Sequence, residues 1–186
     1  MKSSSFIIFF LIVISIYTLA HVYLYVRGIQ AFSPQGTVKK WSVIGYIALA
    51  SLFMIGMFLE RTYSSVFSEW ILKIGSTWLA FLLYFILTIV VIDIVRVLNY
   101  FFQFLPQFTH HAKVLLGISV FVFVGIVVLV GHITALRVQV VQIPITIHKS
   151  VQGTKHIKIL MASDLHLGAI IGESWEQKFL KIGLIH

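Results

Sequence analysis

The stretch "GSTWLAFLLYFILTIVVID", Gly75 to Asp93, carries no charge until its final aspartate. Wound as a helix at 1.5 Å per residue, it would cover about 27 Å. That is close to the roughly 30 Å of hydrocarbon that a spanning segment must cross. Three further stretches have the same character: "FIIFFLIVISIYTLAHVYLYV" (Phe6–Val26), "SVIGYIALASLFMIGMFL" (Ser42–Leu59) and "VLLGISVFVFVGIVVLV" (Val114–Val130). The sequence therefore predicts a membrane domain of four helices, about 6–26, 42–59, 75–95 and 114–131. The second and fourth runs are short for a span, and flanking residues can extend both.

Composition agrees. Of 186 residues, 59% are hydrophobic and only 11% charged, with a mean hydropathy of +1.00, far from the balance of a soluble domain. The expected partner is the lipid bilayer, and the expected location is integral to a membrane, taken as the cell (inner) membrane. The first run follows Lys2 as a signal peptide would, but it exceeds the usual apolar core of such a peptide and lacks a small-residue cleavage site, so it reads as a retained helix.

An even number of spans puts both ends of the membrane domain on one side. Lys2, Arg61, Lys73 and Arg137 then compete with Arg27, Lys39, Lys40, Arg96 and Lys113 for the cytoplasm. The tally is nearly balanced; the first helix, with one lysine before it and an arginine and two lysines after it, tips both termini outward. The net charge of +8 is scattered through loops and tail with no basic stripe between aromatics, so nucleic acid is not an expected partner. Cysteine is absent, which excludes disulfides and thiolate metal sites.

Beyond the fourth run the pattern changes. "LRVQVVQIPITIH" (Leu136–His148) nearly alternates apolar and polar residues and reads as a strand, with Pro144 confining it to a sheet edge or a bulge. A polar connection, "KSVQGTK", leads to "HIKILMAS" (His156–Ser163), a more buried strand. Gly168 and Gly172 mark a loop. "SWEQKFLKIGLIH" then places Trp175, Phe179 and Ile182 at helical spacing, with Ser174 and Gln177 as a capping box. About fifty residues after the last span are too few to bury a core with one hairpin and one helix, so the tail either packs on the membrane domain or opens a longer domain.

Between the second strand and the loop lies "MASDLHLG" (Met161–Gly168). In an extended chain residues i and i+2 project to one side, so Asp164 and His166 can aim a carboxylate and an imidazole at one point. That pair suits Mn, Fe or Zn. The plain alternative is an exposed polar turn after a strand. His148, His156 and His186 read as surface residues rather than further ligands.

The string "ILMASDLHLG" resembles the first motif of the calcineurin-like metallophosphoesterase superfamily, in which a buried strand ends in Ser-Asp-x-His. The hairpin before it and the amphipathic helix after it match that family's opening layout. The resemblance covers about the last fifty residues. It implies a fold of four transmembrane helices (1–134) followed by the opening β-hairpin and helix of a layered α/β metallophosphoesterase domain (135–186). It implies that Asp164 and His166 are metal ligands in a dinuclear centre of Mn, Fe or Zn, where bound water is activated and phosphoryl oxygens are clamped. A phosphate mono- or diester is the implied substrate. The family's Gly-Asp-x-x-Asp, Gly-Asn-His and Gly-His-x-His motifs are not in these residues, so the expectation for this chain is a two-ligand, inactive opening of a membrane-anchored phosphoesterase. The alternative is a non-enzymatic four-helix membrane protein with an assembly or regulatory role.

Within the membrane domain, Asp93 and Arg96 are three apart and can pair on one helix face, which makes them a functional candidate unless both snorkel to the interface. His110 and His111 read as interfacial residues of the connection between the third and fourth helices. Gly117 and Gly125 can admit a neighbouring helix, and Trp41, Trp70 and Trp78 suit an aromatic belt.

Overall fold

Four apolar runs in water-free surroundings must satisfy their backbone groups internally, and helices are the local solution. The computed structural model describes residues 2–106 and 108–135, together with 143, 144 and 161. It contains α1 (Lys2–Phe32), α2 (Gly36–Thr62), α3 (Val66–Phe102) and α4 (His110–Ala135), and all four are long and apolar enough to cross a membrane. The chain is thus an integral membrane protein by its helices. It divides into two units, Met1–His132 and Ile133–His186.

Every helix outruns its apolar stretch, α3 most of all. Its N-terminus is set by Ser65, whose hydroxyl accepts from the Ser68 N–H while the Ser68 hydroxyl accepts from the Ser65 N–H. This is a capping box with serine where glutamate or glutamine is usual. Ser68 is completely buried, and its hydroxyl also lies 2.5 Å from Glu60 at the end of α2. The other end stops at Gln103 in the left-handed conformation, φ 50°, and Asn99 accepts from the Leu105 N–H and donates to the Leu105 carbonyl. At about 55 Å for its 37 residues, α3 is longer than the hydrocarbon layer is thick.

Contacts between helices show an alternating up-and-down arrangement. Tyr17 of α1 donates to the Ala50 carbonyl of α2 and Tyr46 of α2 to the His21 carbonyl of α1, so these helices run antiparallel. Glycines join α2 to α3: a Cβ on Gly56 would lie 2.7 Å from the Leu72 Cα, and one on Gly75 2.5 Å from the Phe53 Cα. The core lies where α1, α3 and α4 meet, around Leu24, Leu82, Phe85, Ile89 and the fully buried Val124. Phe121 stacks edge-on against Phe85 with centroids 4.8 Å apart.

Gly117 behaves as its sequence position suggested, since a Cβ there would meet Phe32 at 2.8 Å, whereas Gly125 has open space. Trp41 and Trp70 are exposed near helix ends. Trp78 differs: it packs against the core, because its indole N–H has a partner on α1. The strands expected from Leu136 onward and the helix from Ser174 lie outside the described residues; Ile143, Pro144 and Met161, which are described, belong to no helix or strand.

Candidate functional site

A helix that is apolar all round leaves each polar side chain to find a partner on a neighbour. Among the described residues, two such clusters join α1 to α3.

The first is centred on His21, which is only 5% exposed. Trp78 Nε1–H donates to His21 Nε2 at 3.1 Å. An indole can only donate, so His21 Nε2 is an acceptor and the ring proton sits on Nδ1. That Nδ1–H donates to the Tyr17 carbonyl at 2.8 Å, and Tyr46 packs edge-on to the ring. Both imidazole nitrogens are committed to neutral partners, which makes His21 a crosslink between helices rather than a ligand.

The second is centred on Asp93. Its Oδ2 accepts from the Tyr23 hydroxyl at 2.6 Å and from Arg27 Nη2, while Oδ1 accepts a longer, 3.4 Å contact from Arg96 Nη1. Arg27 also donates to Gln30 Oε1 at 2.7 Å, and its guanidinium stands 5.5 Å from the Tyr23 ring centroid, within cation–π range. Two guanidinium groups on one carboxylate leave an excess positive charge. Beside them runs a groove of about 420 Å³ lined by Tyr23, Val90, Asp93, Ile94, Val97 and Leu98.

The expected Asp93–Arg96 pair is therefore present but is the weaker half of the cluster. Arg27 is the nearer partner, 66 residues away in sequence. Arg27 reads from sequence as a charge following the first span; nothing local signals that it faces Asp93, since that depends on how α1 and α3 are set against each other. His110 and His111 are exposed in the first turn of α4. Asp164 and His166 lie outside the described residues, as do His148, His156 and His186. Among the described residues no three His, Asp or Glu side chains converge as a metal site.

No family model, curated protein or solved structure matches the chain. What defines the molecule is its own geometry: four helices fit to cross a membrane, with polar side chains joined in pairs and clusters between them.

Proposed function

We propose that the chain is the membrane-anchoring opening of a metal-dependent phosphoesterase of the calcineurin-like kind. The observation that carries this reading is the string Ser163-Asp164-Leu165-His166 after an apolar strand-like run, downstream of four helices able to anchor it. In that reading Asp164 and His166 each give one ligand to a Mn, Fe or Zn ion of a dinuclear centre. Two ligands make a loose site, because a metal ordinarily takes four to six. The remaining ligands and the catalytic histidine would come from residues outside these 186, and the substrate is a phosphate mono- or diester. The basic end of the helical unit would face the cytoplasm under the positive-inside rule, leaving Asp164 and His166 on the opposite side of a cell membrane.

A second reading takes the chain as a non-enzymatic four-helix membrane protein. It is favoured by the Asp93 cluster, which gathers ionisable side chains in the membrane domain itself. One experiment separates the two. Metal content and hydrolysis of a chromogenic phosphodiester are measured for this chain and for a polypeptide continued through the reading frame beyond His186, each with and without Asp164→Ala. Bound metal and activity in the longer form alone, abolished by the substitution, support the phosphoesterase. A longer form that is inert and metal-free removes it and leaves the helical unit as the seat of function.

A further inference from the structure

We propose that the end of the helical unit bearing Arg27 and Arg96 holds an anionic glycerophospholipid. Its phosphate would lie against the two guanidinium groups, with one acyl chain running past Ile94 and Val90 of the adjoining groove toward the bilayer interior. This does not depend on the phosphoesterase reading, since it uses only α1 and α3.

Depth is the first reason. Lys73 and Asp93 bound the charge-free part of α3 and stand about 30 Å apart along it. This matches the hydrocarbon thickness, so the Asp93 cluster sits at the level of lipid phosphates rather than at the midplane. The arginines have no need to snorkel far.

Charge is the second. Among the described residues this end carries Arg27, Lys39, Lys40, Arg96 and Lys113 against the single acid Asp93, whereas the other end sets Lys2, Arg61 and Lys73 against Glu60 and Glu69. Asp93 neutralises one guanidinium and leaves the other in excess. Arg96 meets the carboxylate only at 3.4 Å, so most of its planar fork is available for the bidentate hydrogen bonding that phosphate oxygens favour.

Shape is the third. From Asp93 the groove leads past Ile94 and Val90 toward the charge-free part of α3, where an acyl chain attached to the headgroup would run, while Val97 and Leu98 lie beyond Asp93 at the level of the headgroup. A soluble phosphate would leave Ile94 and Val90 without a partner. A second copy of this chain docked symmetrically through the same groove would set Arg27 and Arg96 against their own counterparts, a like-charge contact.

The test uses the full chain in detergent, with phosphatidylglycerol and phosphatidylcholine as probes and native mass spectrometry to count retained lipid. The expected result is about fivefold tighter retention of phosphatidylglycerol, near the effect of one well-placed basic residue. Arg96→Gln should bring that ratio close to one, while Lys73→Gln at the other end leaves it unchanged. Val90→Trp, which fills the interior side of the groove without altering charge, should reduce retention of both lipids and carries the test alone should Arg96→Gln not fold. Equal retention of the two lipids by the unsubstituted chain would overturn the proposal, as would a ratio indifferent to Arg96→Gln. Displacement of the lipid by glycerol 3-phosphate at equal concentration would reassign the site to soluble phosphates. Because the chain has no cysteine, Val97→Cys also reports directly on a copy-to-copy contact: efficient disulfide dimers in phosphatidylcholine bilayers would mean that the groove is a protein interface, against the proposal.

Discussion

One helix, α3, meets α2 and α1 in different ways. Against α2 it presents Ser68, Leu72 and Gly75, and the glycines of both helices bring the backbones nearly into contact. Against α1 it presents Trp78 and Asp93, which reach across through side-chain hydrogen bonds and an ion pair. In lipid there is no hydrophobic force between helices, so association rests on close packing or on polar contacts. Here the closest backbone approach falls on the α2 side of a single helix and the ion pair on its α1 side. The glycine contact tolerates no added atom, while the polar contacts tolerate change of shape but not loss of a partner.

The steepest break in this comparison is Gly75→Leu. Its Cβ alone would fall 2.5 Å from the Phe53 backbone, so α2 and α3 must move apart, at a cost of about 3 kcal/mol or more. Unfolding of the purified protein by increasing SDS in mixed micelles would report it as a markedly earlier transition. An unchanged transition would mean that the close approach of these helices contributes little.

Next comes the histidine crosslink. His21→Leu leaves the Trp78 N–H without its acceptor, at a cost of about 2 kcal/mol. Adding Trp78→Phe should return part of that loss, because the stranded donor is then gone. A double-mutant cycle by the same titration measures the coupling between the two residues, and strictly additive losses would remove the crosslink.

Asp93→Asn is expected to cost about 1.5 kcal/mol. It keeps an acceptor for Tyr23 but removes the charge that both arginines share. Arg96→Gln should cost far less, given its longer contact, and the order of these two variants sharpens the claim that Arg27 is the principal partner. Arg96→Gln proving the more damaging would reverse it.

The smallest effect belongs to Gly125→Ala. With nothing within 4 Å of the added methyl, the substitution should be neutral or stabilising by about 0.5 kcal/mol through helix propensity. Set beside Gly75→Leu, it tests whether a helical glycine matters for what it touches.

Several of these contacts leave no local mark in the sequence. Gly117 and Gly125 look alike on one face of the fourth apolar run, yet only Gly117 meets a neighbour. Gly56 and Gly75, which make the tightest approach, sit on different runs with nothing to link them. The buried stripe of α3, Ser68, Leu72, Gly75, Leu82, Phe85 and Ile89, keeps a heptad-like spacing, but it vanishes in a helix whose other faces are equally apolar. The Ser65 capping box lies outside the usual pattern because its partner is a serine. Asp93 and Arg96 were recognisable as a pair from their spacing, and Tyr23, Arg27 and His21 were not.

By itself the sequence determined that four segments are apolar and long enough to cross a bilayer, because transfer into hydrocarbon depends on composition and length and needs no knowledge of neighbours. It also supplied the Asp164–His166 string on which the phosphoesterase proposal rests. The tertiary structure alone decided which faces meet: when every face of a helix is apolar, hydrophobicity cannot choose between protein and lipid. The choice falls to shape at Gly56 and Gly75 and to the few polar groups at His21, Trp78, Arg27 and Asp93 that must find one another.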